Sequence, residues 1–158
     1  MYLYHGSNLA VTNPKIINNK RALDFGDAFY LTTDIEQAKR WAKLITNRRG
    51  NGIPTVSVFE LKNMEELEIL KFDTPNKEWL KLITINRKKQ YYKNKYDIII
   101  GPVANDNTMP VINLYLTNKY TEEEALKRLL PQKLKDQYAF KTKKALEHLT
   151  FKEVITYE

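Results

Sequence analysis

The sequence predicts an α+β fold, in one domain that spans residues 1–158. Apolar residues recur at helical spacing between Ile35 and Ile45, whereas residues 55–61 alternate as a β-strand does. The predicted strands and helices follow one another in an irregular order, which favours an α+β fold over a doubly wound sheet. A chain of 158 residues is long enough to bury about 68–70% of its unfolded surface.

The N-terminal region is predicted to contain two short strands that are separated by a loop. The first strand covers residues 1–5 and ends at His5. Residues 12–24 are polar and contain Asn-Pro and Asn-Asn pairs, which are typical of turns. Residues 29–31, with the sequence FYL, form the second predicted strand.

The first predicted helix follows the second strand directly. Thr33 is predicted to cap it, with Glu36 three residues later completing a capping box. The helical spacing continues through Trp41 to Ile45, and residues 48–52 (RRGNG) form a flexible basic tip.

In the second half of the chain, predicted strands and helices follow one another in a less regular order. The further predicted strands cover residues 55–61, 67–72, 96–100, 137–141 and 151–157. The further predicted helices cover residues 73–92, 108–117, 121–130 and 142–149. Pro75 is predicted to lie in the first turn of its helix, and Thr121 is predicted to cap the fourth helix with Glu124 as its partner.

The composition is that of a globular protein, with 42% hydrophobic and 28% charged residues. No stretch of about 18 apolar residues predicts a membrane span, and the N-terminus lacks a signal-peptide pattern. The absence of cysteine excludes disulfide bonds and thiol chemistry. We therefore expect a cytoplasmic protein without a membrane partner.

The net charge of +7 suggests an acidic partner, such as a nucleic acid, a nucleotide or an acidic protein. The alternative is a solvated surface with surplus lysine, as in the segments KNKY and KTKK. Segment 87–95 is a candidate for binding RNA, because Tyr91 and Tyr92 lie among lysines and could stack on RNA bases. A basic helix face in solvent is the simpler interpretation of that segment.

The first group of candidate site residues is the run from His5 to Ser7. A neutral histidine can hydrogen-bond a ribose hydroxyl while a neighbour fixes its other ring nitrogen. Gly6 has no Cβ, so that a planar amide can approach its backbone closely. The alternative is an ordinary polar turn.

The second group combines Tyr30 with Trp41 in the following helix. Two aromatic rings on neighbouring elements can enclose a nicotinamide, whose positive ring gains from apolar burial and from cation–π attraction. The alternative is that Phe29, Tyr30 and Trp41 belong to the hydrophobic core.

These motifs resemble the ADP-ribosyltransferase superfamily, in the branch of diphtheria toxin and poly(ADP-ribose) polymerase, whose site is summarised as His-Tyr-Glu. The run HGS is followed by FG-x-x-FYLT and by a helix with an aromatic residue at the offset of Trp41. A small bacterial family of uncharacterised domains shows the same YHGS, DFG-x-x-FYLT, QA-x-x-WA and YD-x-x-IGPVAND patterns. The resemblance therefore extends over most of the chain.

The resemblance implies a fold of two small β-sheets that form a cleft flanked by helices. It implies that NAD is a substrate, that His5 contacts a ribose of NAD, and that the backbone of Gly6 pairs with the nicotinamide amide. Ser7 falls where a contact with the nucleotide is common. Tyr30 would stack on nicotinamide, and Trp41 would close over it.

The third member of the family's site is different in this chain. Gln137 occupies the place of the superfamily glutamate, whose carboxylate holds the ribose 2′-hydroxyl and stabilises the oxocarbenium-like transition state. A glutamine amide can hold the hydroxyl but lacks the charge. Asp136 cannot easily substitute, because neighbours in a strand point to opposite faces. Asp106 is the better reserve, although a turn or a helix cap explains it equally.

We therefore expect an NAD-dependent mono-ADP-ribosyltransferase, a glycosyltransferase in which His5, Tyr30 and Gln137 are catalytic. Its acceptor would be a protein or a nucleic acid. The resemblance to small bacterial domains suggests the toxin of a toxin–antitoxin pair, with a small helical antitoxin. The alternative is a catalytically inactive module that binds NAD or nucleic acid. No metal site is expected, because no cluster of residues has metal-ligand spacing.

Overall fold

The computed structural model describes residues 1–18 and 23–158. The described part of the chain is an α+β fold of two small sheets and five α-helices. The strands are β1 (Tyr2–Ser7), β2 (Phe29–Leu31), β3 (Thr55–Leu61), β4 (Ile69–Lys71), β5 (Ile98–Pro102), β6 (Asp136–Phe140) and β7 (Leu149–Thr156). The helices are α1 (Ile35–Arg49), α2 (Lys77–Arg87), α3 (Met109–Leu116), α4 (Glu122–Leu129) and α5 (Lys143–Leu146). The predicted loop 12–24 includes residues 19–22, which lie outside the described residues.

The two sheets have different topologies. The first has the strand order β1-β3-β7 and is antiparallel throughout. The second has the order β2-β6-β5-β4, in which only the pair β4–β5 is parallel. A single antiparallel bridge between Tyr4 and Thr32 connects β1 with β2. The N-terminal motif and the FYLT motif therefore meet where the two sheets join.

The core forms on both sides of the second sheet. Helices α2, α3 and α4 cover one face, where Trp79 is fully buried and packs in a cluster with Ile99 and Ala139. The other face packs against the first sheet through a cluster that includes Leu3, Phe29 and Phe59. Helix α1 covers the outer face of the first sheet, because Ala38 packs against Val56 and Val58. The order of layers is thus helix, sheet, sheet and helices.

The prediction that Thr33 caps α1 is wrong. The cap is Asp34, whose carboxylate accepts hydrogen bonds from the backbone N–H groups of Glu36 and Gln37. Thr33 instead donates its hydroxyl, and its backbone N–H, to the carboxylate of Asp136 in β6. Because Thr33 is bonded to a residue 103 positions away, its hydroxyl does not cap the helix as the local pattern predicts.

The second helix is shorter than predicted at both ends. Asn76 caps it by accepting the backbone N–H of Trp79, so Pro75 precedes the helix instead of lying in its first turn. The helix ends at Arg87, and Lys89 has a left-handed backbone conformation with φ of 52°. This conformation is incompatible with continuing an α-helix. By contrast, the predicted cap of α4 by Thr121 is confirmed.

Candidate functional site

His5 lies in β1 next to β2, and its side chain is held from two directions. Its ring stacks on Phe29 at a centroid distance of 4.2 Å. Its Nδ1 is 2.7 Å from the backbone carbonyl oxygen of Tyr30. Because a carbonyl can only accept, Nδ1 carries the proton and donates it, which leaves Nε2 of the neutral ring as an acceptor.

Burial keeps the His5 ring neutral. Desolvation lowers the pKa of His5 from 6.5 to about 4, and the positive charge of Arg49 acts in the same direction. The hydrogen bond to Tyr30 opposes these effects but does not reverse them. At neutral pH the side chain is thus a fixed acceptor, which suits a hydroxyl group and not an anion.

The stability of the fold should depend on the pH through His5. The unfolded state binds a proton near pH 6.5, whereas the folded state binds it only near pH 4. We therefore expect the free energy of unfolding to decrease by up to about 3 kcal/mol as the pH falls through this window. Chemical denaturation at several pH values measures this loss.

The control variants for this pH dependence are His5→Asn and His148→Asn. His5→Asn should remove the contribution of His5 to the pH dependence of stability between pH 6.5 and 4. His148→Asn, which changes the other histidine, should retain that contribution. An identical pH profile of wild type and His5→Asn would contradict a neutral, desolvated His5.

Gly6 and Ser7 lie against helix α1 and its C-terminal end. A Cβ at Gly6 would be 2.1 Å from the carbonyl oxygen of Ala38, so only glycine allows this close approach of strand and helix. Ser7 is buried and donates to the amide oxygen of Asn8. Arg49 also donates to that oxygen, at 2.8 Å. Ser7 is thereby placed in a polar cluster with a guanidinium group.

Tyr30 is fixed by the loop that precedes β2. Its hydroxyl donates to the carbonyl oxygen of Gly26 at 2.6 Å and accepts the N–H of Phe25 at 3.1 Å. Burial, followed by the charge of Asp24, raises the pKa of Tyr30. Lys141 holds the same loop by donating to the carbonyl oxygens of Phe25 and Asp27. Tyr30 therefore offers a rigid, neutral ring.

The rings of His5 and Tyr30 lie on opposite sides of β2. Phe29, on which His5 stacks, and Tyr30 are neighbours in a strand and point to opposite faces. Gly6 faces helix α1, where a Cβ would meet backbone atoms of Ala38 and Ala42, whereas Tyr30 packs against the cluster of Trp79 on the helix-covered face of the second sheet. The structure thus joins His5 to Tyr30 through a hydrogen bond, while Gly6 lies against α1.

Trp41 is half-buried on α1. The buried residues of this helix, Ala38 and Ala42, pack against the first sheet, and Trp41 lies beside them in the helical repeat. The structure therefore places Trp41 on the helix that contacts Gly6.

Gln137 lies in a buried polar network. Its side chain is 4% exposed, and its amide nitrogen donates to the carboxylate of Asp24 at 3.1 Å. The same carboxylate accepts the guanidinium of Arg87 at 2.5 Å and the backbone N–H of Ala104. Gln137 consequently tightens the loop that holds Tyr30, and its amide nitrogen already has a partner.

The two carboxylates that we considered beside Gln137 are placed differently. Asp136 points away from Gln137 and binds Thr32 and Thr33. Asp106 is exposed in the loop before α3, where the side chain of Asn105 accepts the backbone N–H groups of Asn107 and Thr108. Among the described residues, no cluster of three or more His, Cys, Asp or Glu side chains could hold a metal ion.

Asp24, Arg87 and Lys141 are site residues that the sequence patterns did not predict. Asp24 and Arg87 are separated by 63 residues and form the most buried ion pair of the described chain. Burial lowers the pKa of Lys141 to about 8. The partners of the Asp24 carboxylate lie 63, 80 and 113 residues away, so no local pattern signals its role.

Comparison with known proteins identifies the family of the chain. A family model described as "Protein of unknown function (DUF3990)" matches residues 1–151. No curated protein and no solved structure has significant similarity to the chain. No helix within the described residues is both long enough and apolar enough to cross a membrane. Since the family model covers nearly the whole sequence, the chain belongs to the DUF3990 family.

Proposed function

We propose that the protein is an NAD-dependent mono-ADP-ribosyltransferase, which transfers ADP-ribose to a macromolecular acceptor. The observation that carries the proposal is the state of His5, a neutral ring with Nδ1 bound to Tyr30 and Nε2 left as an acceptor. A ribose hydroxyl is the donor that such a nitrogen suits. The proposal also rests on the resemblance of the YHGS and DFG-x-x-FYLT motifs to this superfamily.

The proposed reaction breaks the bond between nicotinamide and the ribose. The electron pair of that bond leaves with nicotinamide, and a nucleophile of the acceptor forms a new bond to the same ribose carbon and loses its proton. Tyr30 and Trp41 would enclose the nicotinamide ring, and His5 would orient the ribose beside them. Because the rings of His5 and Tyr30 lie on opposite sides of β2, the substrate would pass around the edge of this strand.

Gln137 would make the transfer slow. The glutamine carries no charge, and the neighbouring carboxylate of Asp24 is already neutralised by Arg87. The loss of one electrostatic stabiliser typically lowers a rate by about 10²–10³. The resemblance also suggests a small helical antitoxin as a partner, and this suggestion belongs to the same proposal.

The buried position of Gln137 favours a second candidate function, a module that binds NAD without cleaving it. In such a module, His5, Gly6 and Tyr30 would bind the nucleotide, and the network of Gln137, Asp24 and Arg87 would serve the fold alone. Both candidates predict NAD binding at the same residues, and they differ in the release of nicotinamide.

Incubation with labelled NAD and a total cell lysate tests the proposed activity. We expect label transfer and nicotinamide release with the wild type, and a loss of both with His5→Ala, because about 1 Å of misplacement can cost on the order of 10² in rate. His148→Ala is the matched control, since His148 lies in the turn before β7 and its ring bonds to the backbone carbonyl oxygen of Lys62. Thermal unfolding of each variant shows which fraction is folded.

Two outcomes contradict the transferase. Release of nicotinamide at the wild-type rate by folded His5→Ala would remove His5 from the site. NAD binding without label transfer or nicotinamide release would leave the binding module as the function.

A further inference from the structure

The segment between α2 and β5 exposes one aromatic and two basic side chains at every second position. Residues 90–96 form neither helix nor strand. Tyr91, Lys93 and Lys95 are exposed. Tyr92 and Tyr96 point to the other side of the segment and pack against the core cluster of Trp79. Tyr91 is 89% exposed, the highest value of any large hydrophobic residue described. The inner tyrosines thus anchor a strip that displays the outer side chains to solvent.

The lysines of this strip carry uncompensated charge. Several lysines elsewhere in the described chain form ion pairs, such as Lys135 with Asp34 and Lys152 with Glu60. Lys88, Lys93 and Lys95 form no ion pair with any described carboxylate. Three such lysines within eight residues make a local site of positive potential.

A polar cavity of about 370 Å³ adjoins the strip. This volume lies within the range of sites for small organic groups, about 300–1,000 Å³. Its wall includes four residues with carboxamide side chains, together with an aromatic ring, an ammonium group and one carboxylate. These residues are Asn18, Asn86, Gln90, Asn94, Tyr92, Lys141 and Asp27.

We propose that this strip and cavity bind a single-stranded nucleic acid, with the lysines on phosphates, Tyr91 stacked on a base and a neighbouring base in the cavity. Carboxamides pair a donor with an acceptor, as the edges of nucleobases do. An exposed tyrosine provides a stacking platform for any base. An acidic protein would use the lysines but would leave the carboxamide cavity and Tyr91 without a matching group.

The site contains none of the residues that we assign to contacts with NAD, although Gly26 and Lys141, which hold the loop of Tyr30, line its cavity. The strip belongs to the connection between α2 and β5, whereas His5 and Gly6 lie in β1. Binding of nucleic acid can therefore be measured without NAD, and its failure would leave the proposed transferase untouched.

Fluorescence anisotropy with labelled single-stranded RNA and DNA of about 12 nucleotides tests the proposal, since single-strand modules cover about 4–16 nucleotides. We expect Tyr91→Ala to weaken binding at least about fivefold, and Tyr91→Phe to retain it, because stacking needs only the ring. Lys93→Gln with Lys95→Gln should reduce the slope of log affinity against log salt by about 1.4.

The matched control is the pair Lys43→Gln and Lys133→Gln, which removes the same charge from exposed positions on α1 and before β6. This pair should bind nearly as the wild type does. Equal weakening by both lysine pairs would overturn the proposal, as would unchanged binding by Tyr91→Ala. Equally tight binding of an oligonucleotide without bases would also overturn it and would indicate a surface for polyanions, such as an acidic protein.

Discussion

Replacement of Gly6 by alanine is expected to destabilise the protein strongly, and more than the same change at Gly101, the other glycine of a described strand. The new Cβ would be 2.1 Å from the carbonyl oxygen of Ala38 and 2.8 Å from the backbone nitrogen of Ala42. Both are backbone atoms of α1, so no side chain can rotate away to relieve the clash. We expect a loss of about 3 kcal/mol or more, at the upper end of overpacking effects. Chemical denaturation of the purified variant measures the loss.

Gly50→Ala is the matched control for this prediction. Gly50 caps α1 with φ of 70°, and the methyl group of an alanine there would have no neighbouring atom within 4 Å. The variant therefore tests the backbone conformation alone, which should cost about 1 kcal/mol. Equal losses in the two variants would show that α1 does not lie closely against β1, and would place the nicotinamide site of our proposal elsewhere.

Replacement of Gln137 by glutamate is expected to destabilise the fold, although it restores the residue of the superfamily pattern. The new carboxylate would face that of Asp24 across 3.1 Å, at a position that is 4% exposed. An uncompensated charge in such a place typically costs about 3–5 kcal/mol. We expect the loss to shrink in acid, because a protonated Glu side chain can donate to Asp24 as the amide does. Denaturation at pH values on both sides of neutrality measures this.

A double variant tests whether Asp24 causes that loss. Adding Asp24→Asn to Gln137→Glu exchanges the acid and the amide, so that one carboxylate remains near Arg87. We expect the double variant to recover most of the lost stability. Gln132→Glu adds the same charge at an exposed position and should change stability little. A Gln137→Glu variant as stable as the wild type would contradict the observed network.

Local sequence patterns predicted the elements of this fold better than their ends. Residues 55–61 alternate, and β3 occupies those residues. The predicted end of a helix was wrong where a residue distant in sequence determines the capping contacts. Thr33 is a good cap by type, but Asp136 takes its hydroxyl, and Asp34 caps α1 instead. Residues that far apart in sequence leave no periodic signal.

The candidate site was likewise predictable only where local motifs specify it. The motifs placed His5 at the end of one short strand and Tyr30 within another, and the structure joins the two residues by a hydrogen bond. The environment of Gln137 was not predictable, because its partner Asp24 is 113 residues away. That contact depends on the pairing of β6 with β2 and β5, which no local pattern specifies. The nucleotide-binding roles of His5, Tyr30 and Trp41 stay predictions.

Saturation-transfer NMR of NAD in the presence of the protein tests the central claim most directly. It detects binding whether or not NAD is cleaved. We predict transfer to NAD, strongest at the protons of the nicotinamide ring, because Tyr30 and Trp41 would lie against that ring. Trp41→Ala should weaken this transfer, and His148→Ala should preserve it. Absence of saturation transfer to NAD with the folded wild type would contradict an NAD site at these residues. Transfer as strong as that of the wild type in both the Trp41→Ala and the His5→Ala variants would contradict it too.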